Sequence, residues 1–240
     1  LHAIQPYSKS EAFGAGIYIR GRTIANGQSP SRAIDTAFPL YNQLVSLSRV
    51  CRSERLLGYA CILLSNAYYL AGGYSSAQTK YRFYGHSIKL AKRAISVLPD
   101  DDHEILFALR VMVASAHYQR DQDTVYYVFK KAAHIIPKLP ETHYINSLHL
   151  GLTMSKSLAA LGSPNPFSIH NLAVNHFNKG LTGTGVYEIS GIKEEIETLL
   201  VLGTVDKNYI RAQAKRGCTL AAKYKFFRQK RYFNRLLRTI

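Results

Sequence analysis

Residues that stop helices recur at regular distances along this chain, and they restrict it to short helices that must pack on one another. Ala94 stands five residues before Pro99, and Ala132 stands five before Pro137, a repeat distance of 38 residues. Between such stops the apolar residues recur with helical spacing, and no run alternates apolar and polar residues as a half-buried strand does. Helix pairs repeated at this distance cannot bury their apolar faces alone and do so by stacking. The predicted fold is all-α, a right-handed superhelix of antiparallel helix pairs.

The stops divide the chain into segments. Residues 1–30 read as an irregular lead-in, and residues 31–240 as the helical domain. Ser31 is the expected cap of a helix over 32–51, with Pro39 placed to kink or split it. Ser53 caps the next helix, which ends at Gly72–Gly73. A long segment over 75–98 stops at Pro99, where Asp100–Asp102 supply the negative charge that favours a new helix start. Pairs over 103–120 and 124–136, 142–161 and 166–181, and 186–202 and 207–240 follow, the last with a predicted break near Gly217.

A chain of 240 residues with 47% hydrophobic residues can bury a core without staples. Cys51, Cys61 and Cys218 are too far apart for a C-x-x-C site and read as reduced apolar fillers, as in an intracellular protein, cytoplasmic or nuclear. No stretch reaches the roughly 18 uninterrupted apolar residues that span a bilayer, and nothing reads as a secretory leader. A first residue of Leu1 rather than Met is what a processed product or an excised domain would show.

"LLSNAYYLAGGYSSA", Leu63 to Ala77, resembles the first helix and turn of a tetratricopeptide repeat. Leu64, Ser65, Ala67, Tyr68, Gly72, Tyr74 and Ala77 stand at that motif's characteristic positions. A second copy keeps Ala116, Tyr118, Phe129, Ala132 and Pro137, and a third keeps Gly162, Ala173, Phe177 and Gly180. The resemblance spans about residues 53–222 and is degenerate: tryptophan is absent, the repeat near 75–98 is overlong, and the period drifts to nearly 50. It implies a TPR-like α-solenoid whose first helices line a concave groove for a protein or peptide segment. Carried over residue by residue, the groove receives Asn66, Tyr69 and Leu70 from the best-matched repeat and Ser115, Tyr118 and Gln119 from the second, with Arg110 adding charge.

Charge is the other signal. The net charge is +16, and residues 207–240 hold eleven Lys or Arg and no Asp or Glu. The closing stretch "KYKFFRQKRYFNRLLRTI" supplies Lys223, Lys225, Arg228, Lys230, Arg231, Arg235 and Arg238. At 3.6 residues per turn, Arg228, Arg231, Arg235 and Arg238 share one stripe, with Phe226, Phe233, Leu236, Leu237 and Ile240 opposite. Such a helix suits DNA or RNA phosphates, an anionic membrane surface or an acidic protein.

Catalytic signals are weak. The G-x-G of "AFGAGIYIRGRTIANGQSPS" lacks a strand–loop–helix setting, and the nine histidines show no metal-ligand spacing. No G-x-S-x-G, S-x-x-K or Walker-type loop occurs. Glu194, Glu195 and Glu197 read as a solvated face and Asp100–Asp102 as a helix start, not as a catalytic pair. The expected function is a non-catalytic, cofactor-free TPR-like module that binds a protein or peptide, as the sensing or scaffolding domain of an intracellular regulator. Nucleic-acid binding through the basic C-terminal helix is the alternative.

Overall fold

The computed structural model describes residues 9–27, 32–139, 144–177, 186–202 and 206–240; Ser31, Pro140, His143 and Gly180 lie outside them. The described residues form eleven α-helices and no strand. They are α1 (Lys9–Gly27), α2 (Ala33–Cys51), α3 (Glu54–Gly72), α4 (Ala77–Val97), α5 (Glu104–Gln119) and α6 (Gln122–Ile135). After a 3₁₀ turn at Ile136–Lys138 come α7 (Tyr144–Ala160), α8 (Ser168–Phe177), α9 (Val186–Leu202), α10 (Lys207–Lys223) and α11 (Phe227–Thr239). The chain divides into two compact units, Leu1–Val128 and Phe129–Ile240, with the boundary inside α6.

In the first unit each of α1 to α4 packs on its successor, and α1 also touches α3, and α3 touches α5. The core runs through α3 and α5, which are buried almost all round: Leu56 and Tyr59 to Ala67 on one, Ile105 to Leu109 and Val111 to Ala116 on the other. Small residues allow this. Ser65 Oγ donates to the Ser87 carbonyl at 2.8 Å, and Ser115 Oγ donates to Ser87 Oγ at 2.9 Å, so three hydroxyls from α3, α4 and α5 satisfy one another in the interior. The Ser53 cap forms as expected, its Oγ accepting from the Leu56 amide at 3.4 Å. Helix α2 runs unbroken through Pro39.

The lead-in expected over 1–30 contains a helix. Helix α1 carries Gly14, Gly16 and Gly21 inside it, which local propensity counts against it. Two of those glycines admit a neighbour. A Cβ at Gly14 would meet the Leu56 side chain at 2.6 Å, and one at Gly21 would meet Leu63 at 2.9 Å. Close approach to α3 is what the missing side chains provide.

In the second unit α7 packs on α8 and α9, α9 on α10, and α10 on α11. Its buried cluster joins Ile189, Ile192 and Ile196 of α9 to Ile210, Ala214 and Ala221 of α10 and Phe233 of α11. The last segment breaks at Tyr224–Phe226 instead of near Gly217, with Lys225 at a left-handed φ of 60°. Arg52 (φ 49°) and Arg120 (φ 56°) hold the same conformation just beyond α2 and α5. Gly217 lies within α10, and a Cβ there would meet the Phe233 ring at 2.5 Å; the glycine seats that ring.

Candidate functional site

Three groupings of polar and aromatic residues stand out, two of them within the first unit. The first gathers part of the expected groove. Tyr84 of α4 is buried, and Tyr118 of α5 stacks on it at 5.1 Å with the rings 11° apart. Tyr69 of α3 lies at 6.1 Å from the Tyr84 ring. Lys80 Nζ sits 5.1 Å from the Tyr118 ring centroid and 5.9 Å from that of Tyr84, within cation–π range. Gln119 Nε2 donates to the Tyr81 carbonyl at 2.6 Å, tying the end of α5 to α4. Burial, then the neighbouring Tyr118 and Tyr69 hydroxyls, push the Tyr84 phenol well above its ordinary range, so it stays a neutral donor. The cluster is open at Tyr118, which is 43% exposed.

The remaining groove candidates divide. Leu70 and Arg110 are half-buried. Asn66 is only 4% exposed and Ser115 is fully buried, so neither presents a surface to a ligand. Ser115 is held by the interior hydroxyl chain, a use that its position in a repeat motif does not reveal.

The second grouping was missed by sequence reasoning. Asp102 and Glu104, at the start of α5, are both buried. Glu104 accepts from Tyr18 Oη at 2.5 Å and from Arg22 Nη1 at 2.7 Å, and His103 Nε2 lies 3.3 Å from it. Asp102 accepts from the Glu104 amide at 3.0 Å and from Tyr59 Oη at 3.1 Å, and pairs with Arg55 Nε at 3.0 Å. Tyr18 and Tyr59 stack at 4.7 Å, and the Arg22 guanidinium covers the Phe107 ring at 3.9 Å. Burial raises the Glu104 carboxyl, but the hydrogen bond from His103, the Arg22 charge and the Tyr18 hydroxyl outweigh it and hold it below the ordinary value. His103 is raised, first by its hydrogen bond to Glu104. Asp102 does start the helix, as expected, but it does so from the interior. Each carboxylate is met by a hydroxyl and a cation from another helix, which makes the cluster a clasp between α1, α3 and α5.

The third grouping is α11. Phe233 is buried and Phe226, Leu236, Leu237 and Ile240 pack against the same core, while Arg228, Arg231, Arg235 and Arg238 are exposed. Lys223 and Lys225 are exposed and Lys230 is half-buried. Among the described residues none of these seven cations lies in an ion pair. Neighbouring cations are used differently: Arg216 of α10 pairs with the buried Glu188, and Lys193 of α9 with Glu197 at 3.3 Å.

Among the described residues no group of three or more His, Cys, Asp or Glu could hold a metal ion, and no helix is long and apolar enough to cross a membrane. Comparison with protein-family models, with curated proteins and with solved structures found no match to this chain.

Proposed function

We propose that the chain is a non-catalytic, TPR-like helical-repeat module that holds a protein or peptide segment, within the sensing or scaffolding part of an intracellular regulator. The reading rests above all on the tyrosine cluster: Tyr69 and Tyr118, chosen for the groove, both meet the Tyr84 ring, with Lys80 over Tyr118 and Gln119 tied to the Tyr81 carbonyl beside it. Tyrosines anchored on one side and open on the other are favoured as binding hot spots, because little rotamer freedom remains to be lost. The packing of α1 on α3, α3 on α5 and α7 on α9 suits a solenoid in which the first helices of successive pairs lie side by side.

Selection of a displayed random-peptide library on the purified chain tests this. Enriched peptides should bind Tyr118→Ala at least about tenfold more weakly, a loss of roughly 1.4 kcal/mol. Failure to enrich any peptide, or equal affinity for the variant with its helicity intact, would remove the groove reading.

The unpaired arginines of α11 favour a second reading, in which the chain binds DNA or RNA. Apart from the exposed Phe227 at its start, the apolar side of α11 is committed to the core, so what its outer face offers is mainly charge. Fluorescence anisotropy with labelled duplex DNA and RNA at several salt concentrations should then give a steep salt slope. Arg231→Ala with Arg235→Ala should flatten it by about 1.8, at about 0.9 per phosphate neutralised.

A further inference from the structure

Helix α4 repeats the charge design of α11 in the other compact unit. It contains Lys80, Arg82, Lys89, Lys92 and Arg93 and no carboxylate, although nine of the chain's fifteen acids belong to residues 1–128. At 100° per residue, Arg82, His86, Lys89 and Arg93 fall within about 60° of one another on the helix surface, along about 16 Å of its length. The buried Tyr84, Ala91 and Ile95 lie on the far side. Arg82, Lys89, Lys92 and Arg93 are exposed, and His86 is half-buried against the Tyr68 ring at 5.1 Å.

Among the described residues none of these four exposed cations lies in an ion pair, whereas Arg22 and Arg55 of the same unit are bound to Glu104 and Asp102. A face kept only for solubility normally mixes both signs. The stripe also lacks what a protein partner would grip. Gln78, Gly85, Lys92 and Ser96 flank it on one side and the half-buried Thr79, Phe83, Leu90 and Val97 on the other, and the one large apolar side chain that α4 exposes is Tyr81, close to its start. Protein interfaces draw most of their energy from buried apolar or aromatic anchors, and a membrane-surface helix needs a free apolar face, which α4 has spent on the core. A nucleic-acid backbone asks only for a row of cations, and two of the three exposed residues in this row are arginines, which can grip phosphate with both guanidinium arms.

We infer that the outer face of α4, centred on Arg82, Lys89 and Arg93, is a binding surface for the phosphate backbone of a nucleic acid. It is separate from the tyrosine cluster and independent of α11, and it carries no base selectivity. The test is anisotropy of a fluorescein-labelled duplex of about 20 base pairs of DNA and its RNA counterpart, titrated with the whole chain between about 50 and 200 mM salt, the range over which phosphate binding loses most of its strength. The triple variant Arg82→Gln, Lys89→Gln, Arg93→Gln is compared with a control, Arg20→Gln, Arg32→Gln, Arg49→Gln. The control removes the same charge from three exposed and scattered positions.

With three phosphate-binding cations removed, the duplex salt slope of the α4 variant should be flatter by about 2.7, so wild type loses about 40-fold more affinity than the variant over that range. The control should keep nearly the wild-type slope, and circular dichroism should report unchanged helicity for both. An unchanged slope in the α4 variant would overturn the proposal, as would equal flattening in the control, which would mean that net charge alone attracts the duplex. No binding of either oligonucleotide, or capture of polyglutamate in their place, would overturn it as well. Loss of the slope in Arg231→Ala, Arg235→Ala but not in the α4 variant would leave α11 as the binder and α4 without this role.

Discussion

Cutting the clasp at Glu104 is the sharpest test of how the first unit holds α1. Glu104→Ala removes the acceptor of Tyr18 Oη, which is buried, and the partner of Arg22, whose side chain is about a quarter exposed. An orphaned buried hydroxyl destabilises by about 1–3 kcal/mol, and the partly solvated guanidinium adds less than the full penalty of a buried unpaired charge. The sum is about 3 kcal/mol. Glu104→Gln keeps an acceptor for Tyr18 and should lose about half as much. Urea unfolding followed by circular dichroism gives the total, and amide hydrogen exchange over 9–27 shows whether α1 opens first. Arg22→Ala also gives up its stacking on Phe107, so a double-mutant cycle is needed, with an expected coupling of about 1 kcal/mol or more between Arg22 and Glu104. Additive single losses, or a Glu104→Ala loss below about 0.5 kcal/mol, would refute the idea that these side chains fasten α1 to α5.

Three more outcomes are expected. The Glu104 value lies below its ordinary 4.5, so its contribution is present above that pH and is lost as pH falls through the lowered value. His103 lies above its ordinary 6.5, so its contribution is complete below that pH and is lost as pH rises through the raised value; urea midpoints should therefore peak between about 4.5 and 6.5, and His103→Gln should remove the upper flank. Gly217→Ala drives a methyl into the buried Phe233 ring and should destabilise the α10–α11 hairpin by about 1–3 kcal/mol, read by hydrogen exchange in α11. Phe233→Ala empties the same seat and should cost about 3–5 kcal/mol by urea unfolding, while Arg235→Ala, on the exposed side, should leave the midpoint within about 0.5 kcal/mol.

Helix class and most helix ends were legible because their causes are local. Ser53, Gly72 and Pro99 act within a turn of where they stand, and the helices from α2 to α6 begin and end within a few residues of the predicted bounds, while the ends predicted at Thr142 and Leu181 lie outside the described residues. Features with distant causes were not. Helix α1 is stabilised by Leu56, Leu63 and Glu104, none of which is near it in sequence, and its glycines look like breakers until those partners are known. Gly217 misled for the same reason, since its role depends on Phe233. In the candidate groove, Tyr69 and Tyr118 were placed by motif position, and what they share is Tyr84, a residue of the following helix that the motif does not mark. Ser115 reads the same in sequence whether it faces a ligand or Ser87. The α11 stripe was the most legible site, because periodicity alone separates Arg231 from Phe233.

The left-handed positions Arg52, Arg120 and Lys225 have one more implication. Glycine or asparagine is the usual occupant just past a helix, and any side chain with a Cβ there is held at some strain. This chain fills all three with a cation, which meets the negative end of the helix dipole but does not relieve the backbone. Arg52→Gly, Arg120→Gly and Lys225→Gly are thus the substitutions by which a more heat-resistant version could be made without touching the core. Such a version would be less positive by three charges, so at these turns backbone relief and a cation facing the negative end of the helix exclude one another.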